Sequence, residues 1–426
     1  MRWPLRLMAG IVAFHILVTA YDFLGIRWNR WNLAIPLLLI GVLAFRKRTR
    51  RPPLELGWGD GAALFSWAAF SLFAVTLWNA TPDWVYHWGI KAHRFYVFRG
   101  VDYEWLAKPW NWVTHPDYPN LMPELFAGTA LIAGSFDAGA LMLWTVVFFA
   151  MTLVSGRAAL AGSSVQIGMA ILGFTLGGFG IAHLMGGAAD WMPALAFVAA
   201  LPALLRPPDR QGDIEVGIAA AFAAGSKIEG MPLAAMLVGV QVLRRIVAER
   251  RIDFAAALRV GVPTALVAIP WLIRTRHHKL YQTFNTGEAD PDLWQKIWDG
   301  LVRSTTWEGS WGGMTVLLLG VPLLFIPKRT RAVAAVATLQ LATYIWLYFS
   351  APMDTLFLVL SSFPRLAMHL LPAVLMAGVV ALTPPPEVLP RRRGAGPVAV
   401  GGEAGVARGA HPEDVDLAGS EALHQG

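Results

Sequence analysis

Residues 61–80 read GAALFSWAAFSLFAVTLWNA, and residues 81–120 read TPDWVYHWGIKAHRFYVFRGVDYEWLAKPWNWVTHPDYPN. An apolar run of about 20 residues is long enough to cross a bilayer as a helix. The segment that follows it is rich in acids, Lys, Arg, His and Trp. Together the two stretches predict a membrane helix that leads into a polar, aromatic loop at one face of the membrane.

The composition of the whole chain indicates that lipid is its solvent. Of the 426 residues, 56% are hydrophobic and only 15% are charged. A soluble protein could not bury that much apolar surface. Further apolar segments follow along the chain, and two of them, 121–135 and 214–225, are short. We therefore expect an all-α polytopic membrane protein with about 12–13 transmembrane helices.

The net charge of +7 comes from basic residues whose positions indicate orientation in a membrane. Such residues on short turns between apolar runs are typical of the cytoplasmic side. The pattern argues against nucleic-acid binding as their role. The basic turns are Arg46–Arg51, Arg206–Arg210, Arg244–Arg251 and Lys328–Arg331.

Orientation and composition divide the chain into a membrane domain and a tail. Residues 1–383 form the predicted transmembrane domain, and its loops 81–120 and 274–312 face outward. Residues 384–426 are rich in Pro, Gly and Ala and poor in aromatic residues. Such a segment buries too little apolar surface to fold, so we expect a disordered cytoplasmic tail.

The first outer loop carries several candidates for chemistry. Asp83 follows a helix end, where an acid is costly unless it faces water, a partner or a substrate. It could also be the N-cap of a helix that begins at Trp84, and the two roles are compatible. Lys91 lies eight residues further on, where a cation could hold a phosphate. In the HPDYP string, prolines hold His115 and Asp117 in a rigid turn, which faces a cavity or simply shapes the loop entry.

Later segments add charged residues at membrane boundaries. Asp190 follows GGAA at the outer end of a span, and Lys227 and Glu229 lie between two short helices. Charges at such depth are functional by default, although a local ion pair between Lys227 and Glu229 is an alternative. In SSFPRLAMHLLPAV, Arg365 precedes His369 by one helical turn. Arg in such a place suits a phosphate group.

These motifs, in this order, resemble the GT-C superfamily of integral-membrane glycosyltransferases. The superfamily includes protein mannosyltransferases and the aminoarabinose transferases of lipid A. The similarity covers roughly residues 60–380. It rests on the acid at Asp83 and on five further motifs: WGIKA at 88–92, HPDYP at 115–119, AD at 189–190, KIEG at 227–230 and PRLAMHLLP at 364–372.

The resemblance implies an inverting transfer of a sugar from a polyprenyl-phosphate donor to a lipid, glycan or protein acceptor. The reaction would take place on the outer face of a bacterial-type inner membrane. By analogy, Asp83 acts as the base, and three cations, Lys91, Lys227 and Arg365, neutralise the lipid phosphate. Protein mannosyltransferases have adjacent acids where this chain has Asp83 followed by Trp84. We therefore expect Asp117 as a second catalytic acid.

The remaining candidates are assigned to substrate binding. The list is Trp88, His115, Tyr118, Asp190, Glu229 and His369. No spacing of acids and His is diagnostic of a metal, and the sequence leaves a divalent ion open as a cofactor.

Two other functions remain open at this stage. A secondary transporter would also bury Asp, Lys and Arg, but near the middle of the membrane, and it would more often contain an internal repeat. A lipid-linked polysaccharide polymerase or ligase would more often carry its large catalytic loop late in the chain.

Overall fold

The computed structural model describes residues 3–45, 55–161, 164–280, 292–304, 313–349 and 355–383, and these residues form helices and no β-strand. The α-helices are α1 (Trp3–Phe23), α2 (Arg30–Phe45), α3 (Trp58–Thr76), α4 (Gly89–Phe98), α5 (Tyr103–Leu106), α6 (Leu121–Ala133), α7 (Ala138–Leu141), α8 (Leu143–Arg157), α9 (Ser164–Ala182), α10 (Trp191–Leu204), α11 (Arg210–Ala224), α12 (Gly230–Glu249), α13 (Phe254–His277), α14 (Leu293–Ser304), α15 (Gly313–Leu323), α16 (Arg331–Tyr348) and α17 (Thr355–Leu382).

Seven helical segments of the described chain are long and apolar enough to cross a membrane. They are Trp3–Phe23, Trp58–Thr76, Ala138–Arg157, Ser164–Ala182, Gly230–Glu249, Phe254–His277 and Leu358–Leu382. The prediction of an all-helical, multi-pass membrane protein is therefore confirmed. The sequence count of about 12–13 also included shorter apolar helices such as α6 and α10. At 1.5 Å per residue these extend only about 20 Å.

Helix α10 occupies the centre of the bundle. All fourteen of its residues are buried, and it packs against α8, α11 and α17. Lipid could also cover a helix that is apolar on every side, so the burial of every residue shows that other helices, and not lipid, surround α10. The residue that immediately precedes α10, Asp190, is therefore carried into the interior of the protein.

Helices α3 and α9 approach each other closely through small residues. Gly173 and Gly177 lie one turn apart on α9 and face Ala63 and Ser66 of α3. A Cβ on Gly173 would lie only 2.5 Å from the Ala63 Cα. Small residues at such an interface allow backbone contact, which stabilises helix pairs where no water is present to drive association.

The segment 81–120 is folded rather than extended. A single π-helical turn, Trp84–Trp88, continues directly into α4, and α5 and a 3₁₀ segment, Pro109–Thr114, follow. The short α6 then begins at Leu121. The tail predicted at 384–426, and residues 281–291 and 305–312 of the second outer loop, lie outside the described residues.

Candidate functional site

The candidate site forms where three distant parts of the chain meet around one guanidinium. Arg365, on α17, donates from Nη2 to Asp83 Oδ2 at 2.5 Å and to Asp190 Oδ2 at 2.7 Å. Asp83 stands near the start of the segment 81–120, and Asp190 stands immediately before the central helix. Arg365 thus joins two carboxylates that the sequence analysis selected independently.

The turn before α10 brings Asp190 beside the segment 81–120. Within this turn Gly187 has a φ of +69°, a left-handed conformation that glycine adopts at little cost. A Cβ at Gly187 would lie 3.0 Å from the Trp84 ring. The turn therefore packs directly against the residue that follows Asp83, and the two carboxylates come together.

Asp190 is the centre of the ion network. Its Oδ1 accepts from Lys227 Nζ at 3.0 Å and lies 2.8 Å from His369 Nε2. Lys227 is also 3.7 Å from Glu229 Oε1, so the predicted local ion pair is present but is the longer of its two contacts. We call these residues the Asp190 cluster: Asp83, Asp190, Lys227, Glu229, Arg365 and His369.

The cluster holds three carboxylates and two permanent cations in a buried setting. Burial raises the pKa of Asp190, but the charges of Lys227 and Arg365 outweigh burial and hold that pKa well below its usual value. For Lys227, burial lowers the pKa, yet the neighbouring charge of Asp190 raises it above the usual value. Both groups are therefore ionised near neutral pH.

The ionised Asp190 defines the hydrogen bonds of His369. An ionised carboxylate can only accept, so His369 Nε2 donates to it. The other ring nitrogen, Nδ1, lies 2.7 Å from the Tyr344 hydroxyl. A neutral His369 then accepts that hydroxyl proton, and the ring is held on both sides.

Aromatic side chains of the segment 81–120 line one side of the Asp190 cluster. Trp88 Nε1 donates to Asp83 Oδ2 at 3.3 Å, and the Trp88 ring lies 6.0 Å from that of Tyr118. The Tyr118 hydroxyl donates to Glu229 Oε1 at 3.4 Å. His115 stacks on Tyr118 at 4.6 Å. The predicted substrate-binding residues of the loop therefore lie beside the charges.

Asp83 does not act as an N-cap, which was the structural alternative for this residue. Its backbone is helical, with φ −60° and ψ −37°, and its side chain makes no capping hydrogen bond. The carboxylate instead turns toward Arg365 and Trp88. Burial raises the pKa of Asp83, but the Arg365 charge outweighs burial and holds it below its usual value.

Lys91 and Asp117 lie apart from the Asp190 cluster. Within the described chain, the only hydrogen bond of Lys91 runs from Nζ to the His115 carbonyl at 3.1 Å. The side chain is 0% exposed, and burial lowers its pKa to about 7 against the opposing charge of Asp117. Asp117 is also buried, and its carbonyl accepts from Trp271 Nε1 at 3.1 Å. The carbonyl of His115 accepts from Lys91 and its ring stacks on Tyr118, and burial lowers the pKa of His115 to about 3.

Two residues near the cluster were not selected from the sequence. Tyr344 contacts His369, and Gln340 donates to the Glu229 carbonyl at 2.9 Å. They are four residues apart, on one face of α16. Polar residues on one face of an otherwise apolar helix are the signal that could have identified them.

Among the described residues, no group of three or more His, Asp or Glu side chains could hold a metal ion. The acids of the cluster are already bonded to Lys227 and Arg365. Comparison of the chain with protein-family models, with curated proteins and with solved structures finds no match. What the protein does must therefore be inferred from the geometry of its own residues.

Proposed function

We propose that this protein is a membrane glycosyltransferase that moves a sugar from a polyprenyl-phosphate donor to an acceptor hydroxyl. The observation that carries the proposal is the bridge from Arg365 to both Asp83 and Asp190. It combines a cation suited to phosphate with a carboxylate suited to proton transfer. The resemblance of the motifs to GT-C glycosyltransferases supports the same reaction.

Arg365 and Lys227 are suited to binding the donor phosphate. Both hydrogen bonds that Arg365 makes within the described chain use Nη2, and its side chain is 29% exposed. Its Nε and Nη1 protons are therefore left for further acceptors, and because they point to different edges of the guanidinium, a phosphate oxygen accepts from one of these nitrogens singly. Lys227 supplies a second charge on the opposite oxygen of Asp190. Stabilising the charge of the departing phosphate is the main catalytic requirement for this type of donor.

Donor binding would also activate Asp83 as a base. In the free protein, Arg365 keeps the pKa of Asp83 low, which makes it a weak base. A phosphate that shares Arg365 adds negative charge and withdraws part of that stabilisation, so the pKa of Asp83 rises. A base whose pKa is nearer the working pH removes a hydroxyl proton more effectively.

The reaction is an inverting displacement at the anomeric carbon of the sugar. The acceptor oxygen forms a bond to that carbon while the bond from carbon to the phosphate oxygen breaks, and the bonding pair leaves on the phosphate. Asp83 takes the proton of the acceptor hydroxyl. The products are a glycosylated acceptor and free polyprenyl phosphate, and no oxidant or reductant is consumed.

The proposal includes the side of the membrane on which the site lies. The basic turns of the sequence favour an outward-facing loop 81–120. We therefore assign the protein to a bacterial-type inner membrane, with its site toward the periplasm or exterior. The acceptor is a lipid, a glycan or a protein that reaches this face.

The test is turnover of radiolabelled polyprenyl-phosphate sugars by purified protein in detergent. Asp83→Asn is expected to bind the donor but to lower transfer by about 100-fold or more, because a positioned base contributes that much. Asp137→Asn is the matched control. Asp137 is exposed and caps α7 through Ala140 N, and Asn preserves such a cap.

The two variants and the wild type separate the outcomes. Equal transfer by wild type and Asp83→Asn would remove Asp83 as the base. Absence of donor binding across a panel of such lipids would overturn the glycosyltransferase proposal and favour a transporter of a polar or anionic solute.

A further inference from the structure

Near the Asp190 cluster, Asn120 and Glu229 carry buried polar atoms that have no hydrogen-bond partner in the described chain, as does Gln340 at Oε1. Asn120 is 0% exposed, and neither its Oδ1 nor its Nδ2 has a partner in the described chain. The second carboxylate oxygen of Glu229, Oε2, is likewise buried and unpaired there. Leaving such a group buried and unsatisfied is costly, so each needs an explanation.

The Asn120 side chain does not make the capping hydrogen bond that its position before α6 favours. It stands immediately before α6, where an Asn side chain usually accepts from a backbone N–H of the first turn. Here its side chain makes no capping bond, although its carbonyl accepts from Glu124 N at 2.9 Å. The local backbone therefore does not account for the orientation of the amide.

The loops that carry the two unpaired groups are held together. Leu121 N donates to the Gly225 carbonyl at 3.2 Å, which ties the start of α6 to the turn before α12. Tyr118, two residues before Asn120, donates to the other oxygen of Glu229. The residues on both sides of Asn120 thus contact the segment 225–229, and the Tyr118 ring also lies 6.0 Å from that of Trp88.

The unpaired atoms match the chemistry of hydroxyl groups. The Asn120 amide offers two N–H donors and one acceptor, and Glu229 Oε2 is an acceptor only. A hydroxyl donates one proton and accepts through its oxygen, so a ligand with several hydroxyls satisfies both residues. A second anion is disfavoured by Glu229, while Lys227, 3.7 Å from Glu229, disfavours a cation.

We propose that Asn120 and Glu229 bind the hydroxyl groups of the donor sugar, and that Asn120 is a specificity-determining residue. This inference rests on the proposed function. The sugar of the donor is joined directly to the phosphate, and Glu229 lies beside Lys227, which we assign to that phosphate. The hydroxyl-binding region therefore lies within reach of the group that is transferred.

The experiment compares the affinity for glycosylated and bare lipid phosphates. The probes are farnesyl phosphate and its mannosyl, glucosyl and arabinosyl esters, bound to the full-length protein in detergent. The measured quantity is the ratio of the Kd for farnesyl phosphate to the Kd for the best glycosylated probe. Asn120→Leu is expected to reduce this ratio by about tenfold, through the loss of one or two hydrogen bonds, without changing the Kd for farnesyl phosphate.

A second readout separates binding from a structural role. Leu has the same branching and the same number of heavy atoms as Asn and removes two unpaired buried polar atoms, so the Tm of Asn120→Leu is expected to stay the same or rise. Asn111→Leu is the matched control. Asn111 is also buried, but its Nδ2 donates to the Trp105 carbonyl at 2.5 Å, and its loss should lower the Tm while leaving the affinity ratio intact.

The outcomes distinguish this inference from the proposed function. A wild type that binds both kinds of probe equally, or an Asn120→Leu variant with an unchanged ratio, would overturn the sugar-binding role alone. A fall in Tm as large as that of Asn111→Leu would assign Asn120 to structure. Glu229→Gln should lower the same Kd ratio, and it replaces Asn120→Leu as the test variant if Asn120→Leu does not fold. A wild type that binds none of the probes would instead overturn the glycosyltransferase proposal.

Discussion

Replacing Asp190 with Asn should destabilise the protein through the cations that it leaves behind. The Asn side chain has nearly the same shape but no charge. Lys227, whose side chain is only 7% exposed, would lose its 3.0 Å contact and keep Glu229 at 3.7 Å. Arg365 would keep Asp83 as its partner. The stranded cation is therefore chiefly Lys227.

The expected size of the effect follows from this geometry. Removing one partner of a buried ion pair costs about 3–5 kcal/mol, because the other charge remains out of water without compensation. Removing the stranded charge as well should recover much of this loss. We therefore expect Lys227→Met to restore stability in the Asp190→Asn background, with a coupling free energy of about 2–3 kcal/mol.

The assay is a double-mutant cycle on unfolding by SDS in mixed micelles. Wild type, Asp190→Asn, Lys227→Met and the double variant are compared. Asp137→Asn is the control, because Asp137 is exposed and caps α7 through Ala140 N, a role that Asn keeps. It should change stability by no more than about 0.5 kcal/mol. Additivity of the two single changes within about 0.5 kcal/mol would refute the assignment of Asp190 and Lys227 as a coupled buried pair.

Two further predictions concern the loop and the helix packing. Lys91 has a native pKa of about 7, below its usual 10.5. Between these two pH values the unfolded chain binds more protons than the folded protein. The free energy of unfolding should therefore rise with pH across that window, by about 1.4 kcal/mol per pH unit. Lys91→Met should lack this rise when unfolding is measured at about pH 7.5 and 9.5, and equal slopes in both proteins would contradict the burial argument. Gly173→Val should lower the Tm because its Cβ would lie 2.5 Å from the Ala63 Cα, whereas Gly41→Ala, where a Cβ meets nothing within 4 Å, should not. A Gly173→Val variant with the Tm of wild type would show that α3 and α9 separate without cost.

Most residues of the candidate site could be predicted from their positions relative to the apolar segments of the sequence. Asp190, Lys227 and Arg365 each stand beside or within apolar segments, where an isolated charge is costly and therefore requires a partner or a ligand. The structure brings all three together. It keeps Lys91 and Asp117 outside the cluster, although they were selected on the same loop as Asp83.

Some features depend on bonding partners that a single sequence does not show, even where a polar face on an apolar helix could have marked the residues themselves. Tyr344 and Gln340 belong to a helix that was selected only for its apolarity, and Asn120 looked like an ordinary helix start. Their roles depend on which atoms find partners across helices. Hydrogen bonding between distant segments is decided by packing, and periodicity does not record it.

The sequence by itself determined that lipid surrounds the protein, that its architecture is helical, and where charged residues lie next to apolar segments. Apolar runs in lipid satisfy their backbone hydrogen bonds internally, so they must form helices whatever their neighbours are. Only the tertiary structure decided which charges pair. Asp83 and Arg365 are separated by 282 positions in the chain, and they meet at 2.5 Å because α17 packs on the central α10, whose first turn follows Asp190. Helix packing depends on the shapes of many side chains at once, and this information is not local to any stretch of the sequence.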